Sequence, residues 1–337
     1  MNADYLKSIE AKLTGNIDED FKFLMNEAQH FQKLELFDVV RDIFKLFEKK
    51  YENDGKTYLI NKAKEAQAKR KEIYKNILNL GKEKKYLEAQ EELVKLIDTF
   101  PIKRDLKENE VLKSFPNVFE DLYFNRYMAN GKKVIKLEEP YADYFFSLGF
   151  ILFNLEDYEG AIEEIDNSLK YNDVSPDAYL LKALCYSKIG DDNNFKLSIK
   201  IGMEHAYTRF QLANAYYQLS KYYIKKGNKA LAQANLYLSM NYAKPKDIDV
   251  FTKTIDEMEG ESIQPNEVEK MKAILDENNI QFGPSRNVLM LLVTSLKLKP
   301  AQDNLNIKKL FLNMLYELTH DEKYKRELDS LKPQNTK

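Results

Sequence analysis

Histidine and cysteine, the side chains most typical of nucleophilic and metal chemistry, are few in this sequence, and they lie far apart. The three histidines are His30, His205 and His320, and the single cysteine is Cys185. No histidine has the spacing of a metal-ligand motif such as His-Glu-x-x-His, and one cysteine cannot form a zinc-binding cysteine cluster. Cys185 lies on an apolar helix face, which is typical of a buried structural thiol. We therefore expect no metal site and no reactive thiol.

Motifs for phosphate binding and for paired-carboxylate chemistry are also missing. A phosphate-binding loop needs several closely spaced glycines, whereas Gly81 stands alone. The carboxylate pairs Glu163-Glu164 and Asp191-Asp192 fall on a helix surface and at a helix start, where acidic residues complement the helix dipole. The sequence therefore predicts no catalytic residues and no cofactor, so we expect that the protein is not an enzyme.

Residues 142–175 carry the pattern that organises the chain. Leu148 and Gly149 precede a short turn, and Tyr158 and Ala161 follow it. The pattern predicts two helices joined by a tight turn in a unit of about 34 residues, which is the length of a tetratricopeptide repeat. Such a unit cannot bury its apolar face alone, so it must stack on neighbouring units.

The same register recurs in residues 176–209 and 213–246, and an earlier unit spans 70–103. Small residues fall where the first helix of each unit crosses the second, since close helix approach needs short side chains. The residues that define the register are Leu148, Gly149, Tyr158, Ala161, Ala183, Tyr186, Gly190, Ser220, Tyr223, Ala232, Ala89 and Pro101.

On these residues the chain resembles the tetratricopeptide repeat family. The resemblance implies an all-α fold, a tetratricopeptide-type α-solenoid in which antiparallel helix pairs form a right-handed superhelix with atypical terminal pairs. The chain as a whole also resembles uncharacterised repeat proteins of low-GC Gram-positive bacteria.

The register divides the chain into five segments. Residues 1–69 are expected to form degenerate helix pairs that cap the array, 70–103 a first repeat, 104–141 an irregular connection with a short helix from about Asn117 to Met128, 142–246 the three repeats 142–175, 176–209 and 213–246, and 247–337 degenerate C-terminal repeats or a cap. Apolar pairs at 18–51 and at Val288–Leu296 with Ile307–Leu318 support the terminal assignments. No strand-like alternation competes with the helices.

Charge and hydropathy restrict the partners. The net charge of −2 favours neither nucleic acid nor an acidic membrane. The N-terminus lacks the apolar stretch of a signal peptide. The most apolar run, Val288–Val293, is far shorter than the roughly 20 residues that span a bilayer. These observations predict a cytoplasmic protein that does not bind membranes.

The family resemblance also implies a binding groove on the concave face, lined by the first helix of each repeat. Some family members hold a C-terminal carboxylate there with lysine and asparagine, but Phe146, Phe150 and Leu181 occupy those positions here, so that clamp is absent. An apolar and aromatic stripe replaces it. The candidate groove residues are Phe146, Phe150, Phe153, Asn154, Leu180, Leu184, Lys188, Tyr217, Gln218, Lys221 and Lys225.

The stripe has two interpretations that the sequence leaves open. It is either a groove for a peptide or partner segment, or a surface covered by the C-terminal helices of the chain itself. The first makes the protein a scaffold or adaptor that binds another protein. The alternative function is a regulatory sensor of a small peptide or anionic ligand. A third hypothesis is RNA binding through the basic helix at residues 62–85, although interspersed glutamates also fit a solvated surface helix.

Overall fold

The computed structural model describes residues 2–34, 36–99, 106–244 and 267–331. These ranges contain sixteen helices and two short strands. The chain divides into two compact units, Met1–Val111 and Leu112–Lys337. The fold is therefore predominantly helical, as the sequence predicted.

The N-terminal unit contains four helices. They are α1 (Asn2–Glu10), α2 (Ile17–Lys33), α3 (Phe37–Lys82) and α4 (Tyr86–Asp98). Helices α1 and α2 pack with the first part of α3 around a core that includes Ile9, Leu24 and Phe47. The helix pair expected at 18–51 is thus confirmed. Helix α3 then continues to Lys82. It is kinked at Glu52, whose backbone angles are non-helical (φ 44°, ψ −126°).

The segment between the two sets of helices contains secondary structure that the sequence did not reveal. Strands β1 (Glu110–Lys113) and β2 (Lys133–Lys136) pair in a two-stranded sheet. In the chain they precede and follow the helix α5 (Val118–Tyr127). The short helix is confirmed, and the two short strands are an addition to the all-α fold that the sequence predicts. Each strand has only four residues, too few to produce a recognisable alternation.

Six helices then follow one another with short turns. They are α6 (Tyr141–Asn154), α7 (Tyr158–Tyr171), α8 (Pro176–Ile189), α9 (Asp192–His205), α10 (Arg209–Lys225) and α11 (Lys229–Tyr242). Each packs against the next, as expected for an α-solenoid. Side-chain caps begin five of them and accept N–H hydrogen bonds from the first turn: Asp157, Ser175, Asp191, Thr208 and Asn228.

Small residues hold the paired helices close together. A Cβ atom at Gly149 would lie 2.8 Å from Ile165 Cγ1 and 3.1 Å from the Ala161 carbonyl oxygen. At the other end of the same crossing, the Ser168 hydroxyl donates to the Ala142 carbonyl oxygen at 2.7 Å. Ser239 makes the corresponding hydrogen bond to Ala213 at 2.7 Å between α10 and α11. The repeat register read from the sequence thus coincides with a repeated contact.

The C-terminal helices are α12 (Val268–Glu277), α13 (Arg286–Ser295), α14 (Lys299–Asp303), α15 (Leu305–Thr319) and α16 (Glu322–Ser330). The pair expected at Val288–Leu296 and Ile307–Leu318 is confirmed as α13 and α15, which contact each other. Pro101 lies outside the described residues. The sequence also predicts a helix that ends near Glu259, within residues 244–287, and that end lies outside the described residues as well. Among the helices described above, none is long and apolar enough to cross a membrane.

Candidate functional site

Two of the residues considered first for chemistry, Cys185 and His205, are buried. Cys185 is buried, and burial raises the pKa of its thiol to about 12. His205 is 7% exposed and packs against the rings of Tyr123 and Tyr179, and burial lowers the pKa of its imidazole. Within the described ranges, no group of three or more His, Cys, Asp or Glu side chains could hold a metal ion.

Helix α6 presents the aromatic part of the expected groove. Phe146, Phe150 and Phe153 lie on successive turns, so they form one row along the helix. Phe150 is 44% exposed, and Phe146 and Phe153 are half-buried. Asn154 is half-buried and its side-chain amide donates to the Phe150 carbonyl oxygen at 2.8 Å. This row, Phe146–Phe150–Phe153, is called the α6 aromatic row below.

The remaining groove residues separate into buried and exposed sets. Leu180 is 1% exposed, and its Cδ2 would lie 3.1 Å from a Cβ at Gly202 of α9, so it packs inside the chain. Gln218 is 5% exposed and donates to the Leu180 carbonyl oxygen at 3.1 Å. Half-buried positions are Leu184 and Tyr217, and exposed positions are Lys188, Lys221 and Lys225. The accessible surface is therefore aromatic on α6 and basic on α8 and α10.

The C-terminal residues do reach the repeat helices. The Tyr216 hydroxyl donates to the Gln281 carbonyl oxygen at 2.8 Å and accepts from the Gly283 N–H at 2.7 Å. Gln281 also donates to the Met203 carbonyl oxygen at 3.3 Å. These bonds join the segment Gln281–Gly283 to α10 and to the end of α9.

Acidic residues are interspersed in the basic segment 62–85. Lys62 pairs with Glu65 at 3.2 Å and Lys85 pairs with Glu83 at 2.9 Å, all on the surface. These pairs fit the solvated-helix interpretation, and nothing in them favours binding to RNA.

A cavity of about 300 Å³ lies where the starts of α6 and α8 meet α5. Three carboxyl groups line it, Glu120, Asp143 and Asp177, and no lysine, arginine or histidine is among its lining residues. We call it the acidic cavity. Phe146, the first member of the α6 aromatic row, also belongs to its lining.

Three segments far apart in sequence position Glu120 in this cavity. Its backbone N–H donates to the Asn117 side chain at the start of α5. Its carboxylate accepts from the Tyr207 hydroxyl at 2.6 Å and from the Asn172 side-chain amide. Asn117 also donates to the Tyr207 oxygen at 2.9 Å. The carboxylate is therefore held rigidly by the turns after α7 and α9.

The electrostatics of the acidic cavity are unfavourable for its own carboxylates. Burial raises the pKa of Glu120, although hydrogen bonds from Tyr207 and Asn172 work against that increase. Burial also raises the pKa values of Asp143 and Asp177, the latter despite a 2.9 Å hydrogen bond from Gln211. Chemically, the cavity is lined by acidic groups whose ionised forms burial disfavours.

A second, wider depression of about 920 Å³ lies between α9, α10 and the 276–287 segment. Its charged lining is mixed, with Lys196, Lys200 and Arg286 beside Glu204 and Asp276. It therefore has no marked preference for one sign of charge.

Sequence reasoning missed the acidic cavity as a site. Asp143 and Asp177 occupy equivalent places in their first helices, which was the only available signal. Glu120, Asn172 and Tyr207 belong to no motif, because tertiary packing alone brings them together. In comparisons with known proteins, no family model matches this chain and no curated protein matches it.

Proposed function

We propose that this chain is a tetratricopeptide-type repeat protein that binds a peptide segment of another protein, as a scaffold or adaptor. The observation that supports the proposal is the α6 aromatic row, with Phe150 left 44% exposed at its centre. Isolated exposed apolar residues are ordinary, but an aromatic row along one helix is typical of an interaction surface.

The energetics favour Phe150 as an anchor. Burying an aromatic side chain contributes about 1.5–3 kcal/mol, and central aromatic residues commonly dominate protein interfaces. Lys188, Lys221 and Lys225 supply exposed positive charges on α8 and α10. A segment with apolar residues and a flanking acidic residue would complement both features.

The proposal is tested by selecting a displayed peptide library against the full chain and titrating enriched peptides by fluorescence anisotropy. We expect Phe150→Glu to weaken binding about tenfold or more, since one lost anchor is worth at least about 1.4 kcal/mol. Helicity and melting temperature should change little, because Phe150 is partly solvated already.

Phe210→Glu is the matched control, since Phe210 is 66% exposed at the start of α10 and lies outside the proposed surface. It should leave peptide affinity unchanged. Equal losses in both variants, or no enriched peptide, would refute the assignment. Unfolding of the Phe150→Glu variant alone would show that Phe150 belongs to the core.

A further inference from the structure

We propose that the repeats bind an extended protein segment that crosses α6, α8 and α10, with an apolar residue on α6 and acidic residues on α10. This inference rests on the proposed function, which assigns the α6 aromatic row to a peptide. It adds the path that the peptide takes and the chemistry of its other end. The partner is a segment in which an apolar anchor and an acidic group stand a fixed distance apart.

The first helices of the three repeats lie side by side and run in the same direction. Helix α6 contacts α8, and α8 contacts α10. Near the helix starts, the Gln211 side chain donates to the Asp177 carboxylate at 2.9 Å, and further along Gln218 donates to the Leu180 carbonyl oxygen at 3.1 Å. The starts of α6 and α8 both line the acidic cavity. Residues at equal register positions are therefore neighbours across the three helices.

Two rows of side chains cross these helices, at the ninth and the thirteenth positions of each repeat. Their members on α6, α8 and α10 are Phe150, Leu184 and Lys221 in one row and Asn154, Lys188 and Lys225 in the other. Phe150 is 44% exposed, Leu184 is half-buried and the three lysines are exposed. Both rows therefore change from uncharged on α6 to basic on α10, which gives the surface a direction.

The basic end carries charge that the fold does not balance. Among the described residues, Lys188, Lys221 and Lys225 have no carboxylate partner. Lys221 and Lys225 stand four residues apart on one helix, where like charges repel each other. The helix dipole favours Lys225 in the last turn of α10, but that effect does not extend to Lys221. Acidic residues of a bound segment would relieve the repulsion.

The aromatic and basic parts form one continuous surface. The Phe153 ring lies 5.6 Å from the Tyr158 ring, and Lys188 Nζ lies 6.0 Å from the centroid of that same ring. Asp143 and Asp177 stand at the second register position, seven residues or about 10 Å of helix before the ninth. An acidic segment that follows the two rows therefore stays away from the acidic cavity.

Helix spacing sets the length of the segment. Packed helices lie about 8–10 Å apart, so Phe150 and Lys221, two helices apart, are separated by about 16–20 Å. An extended chain advances about 3.3 Å per residue, so the acidic group stands about five or six residues from the anchor. An ammonium group has only donors, so the carboxylates of aspartate and glutamate are its natural partners.

The test uses the peptides selected on the full chain, titrated by fluorescence anisotropy. We expect them to carry an apolar residue and acidic residues about five or six positions apart. Replacing the acidic residues by glutamine should weaken binding about tenfold, and so should deleting three intervening residues, because the ends then no longer reach both sites. Raising the salt concentration to about 0.5 M should weaken the acidic peptide and leave the glutamine version unchanged.

A charge exchange locates the acidic end. The combined variant Lys221→Glu and Lys225→Glu should bind the acidic peptide about tenfold more weakly, and should bind a peptide with lysines in place of its acids better than wild type does. Lys272→Glu, at an exposed position of α12, is the control and should change neither affinity. Lys188→Glu takes the place of the combined variant if circular dichroism shows that the latter is unfolded. Unchanged affinity, or a loss that the lysine peptide does not reverse, overturns the inference.

The outcomes separate this inference from the proposed function. Peptides that depend on Phe150 but not on their acidic residues refute the inference and leave the proposed function intact. Absence of any enriched peptide refutes the proposed function itself. A uridine oligonucleotide that binds more tightly than every selected peptide would assign the lysines to phosphate groups. A dimer in light scattering that the peptide dissociates would assign the surface to a second copy of the chain. Either of these last results overturns the inference.

Discussion

The N-terminal helices and the acidic cavity both bury carboxyl groups, and they supply them with hydrogen-bond donors very differently. Asp20 is 1% exposed and accepts from the backbone N–H groups of Thr14 at 2.7 Å and Gly15 at 3.1 Å. The hydroxyls of Thr14 and Tyr51 donate to it as well. In the acidic cavity, Glu120 has two side-chain donors while the neighbouring Asn172 oxygen has none among the described residues.

The pKa shifts express the same difference. Burial opposes ionisation of Asp20, but hydrogen bonds from Tyr51, Thr14 and Gly15 outweigh it and lower the pKa of Asp20. Burial raises the pKa values of Asp143 and Asp177 in the cavity. Hydrogen bonds within the fold therefore stabilise the ionised form of Asp20, whereas burial disfavours the ionised forms of Asp143 and Asp177.

The largest expected effect is from removing the charge of Asp20. Asp20→Asn replaces an acceptor by an amide nitrogen that cannot accept, so buried donors lose their partner. We expect the free energy of unfolding to fall by about 1.5–3 kcal/mol, the range for hydrogen bonds to charged groups. Urea denaturation at neutral pH measures the change.

The control for this variant is Asp42→Asn, whose carboxylate pairs with Lys45 on the surface at 3.1 Å. A surface pair contributes about 0–1 kcal/mol. If the two variants were equally stable, the internal donors of Asp20 would have no energetic role, and the contrast with the cavity would fail.

Packing gives a second contrast between the regions. In the repeat register, Ile77 of α3 stands where Gly149 stands in α6, and the facing residues Ala89 and Ala161 are both fully buried. Gly149→Leu would overpack the α6–α7 crossing, where even a Cβ atom would lie 2.8 Å from Ile165 Cγ1, so we expect a loss of about 1–3 kcal/mol in unfolding free energy. Urea denaturation again measures it.

Gly81 provides the matched control, since it lies within α3 and a Cβ atom added there would have no neighbouring atom within 4 Å. Gly81→Ala should stabilise the protein by about 0.5–1 kcal/mol, because alanine has the higher helix propensity. A destabilised Gly81→Ala variant, or a neutral Gly149→Leu variant, would contradict the packing difference.

A smaller effect is expected in the pH dependence of stability. Because burial raises the pKa of Asp143, the folded state holds its proton more tightly, and stability falls as pH rises from the ordinary aspartate value of about 4 through the raised pKa. Asp143→Asn should remove that loss, so the stability of the variant relative to wild type should increase as pH rises. Asp20 acts in the opposite direction, since its lowered pKa stabilises the fold above that ordinary value and the contribution is lost in acid.

Thermal melts between about pH 3 and pH 8 test both signs, since carboxyl linkage acts across that window. Asp143→Asn should differ most from wild type at the upper end, and Asp20→Asn should differ least at the lower end. Parallel curves for the two variants would show that the carboxyl groups do not differ as described.

The smallest expected effect concerns the turns within the pairs. Lys84 and Glu156 have positive φ angles of 60° and 64°, at the register position where Gly190 and Gly227 have 83° and 70°. A non-glycine residue is strained there, so Glu156→Gly should raise the unfolding free energy by about 0.5 kcal/mol or more. Gly190→Ala should lower the unfolding free energy. Urea denaturation of both variants tests whether the two changes have opposite signs.

The sequence by itself determined the helix pairs between residues 141 and 242. Apolar spacing, small residues at the helix crossings and the turn glycine Gly190 are local signals, and they predicted helices that the structure confirms. It also indicated the short helix α5. It did not determine β1 and β2, because pairing between four-residue strands leaves almost no local pattern.

Only the tertiary structure decided which surface is accessible and where charge is buried. The inner-face register gave Phe150 and Leu180 the same expected role, yet packing leaves the first 44% exposed and the second 1% exposed. The acidic cavity joins Glu120 to Asn172 and Tyr207, which are 52 and 87 residues away along the chain. Burial and desolvation arise when distant segments meet, so a local sequence pattern cannot encode them.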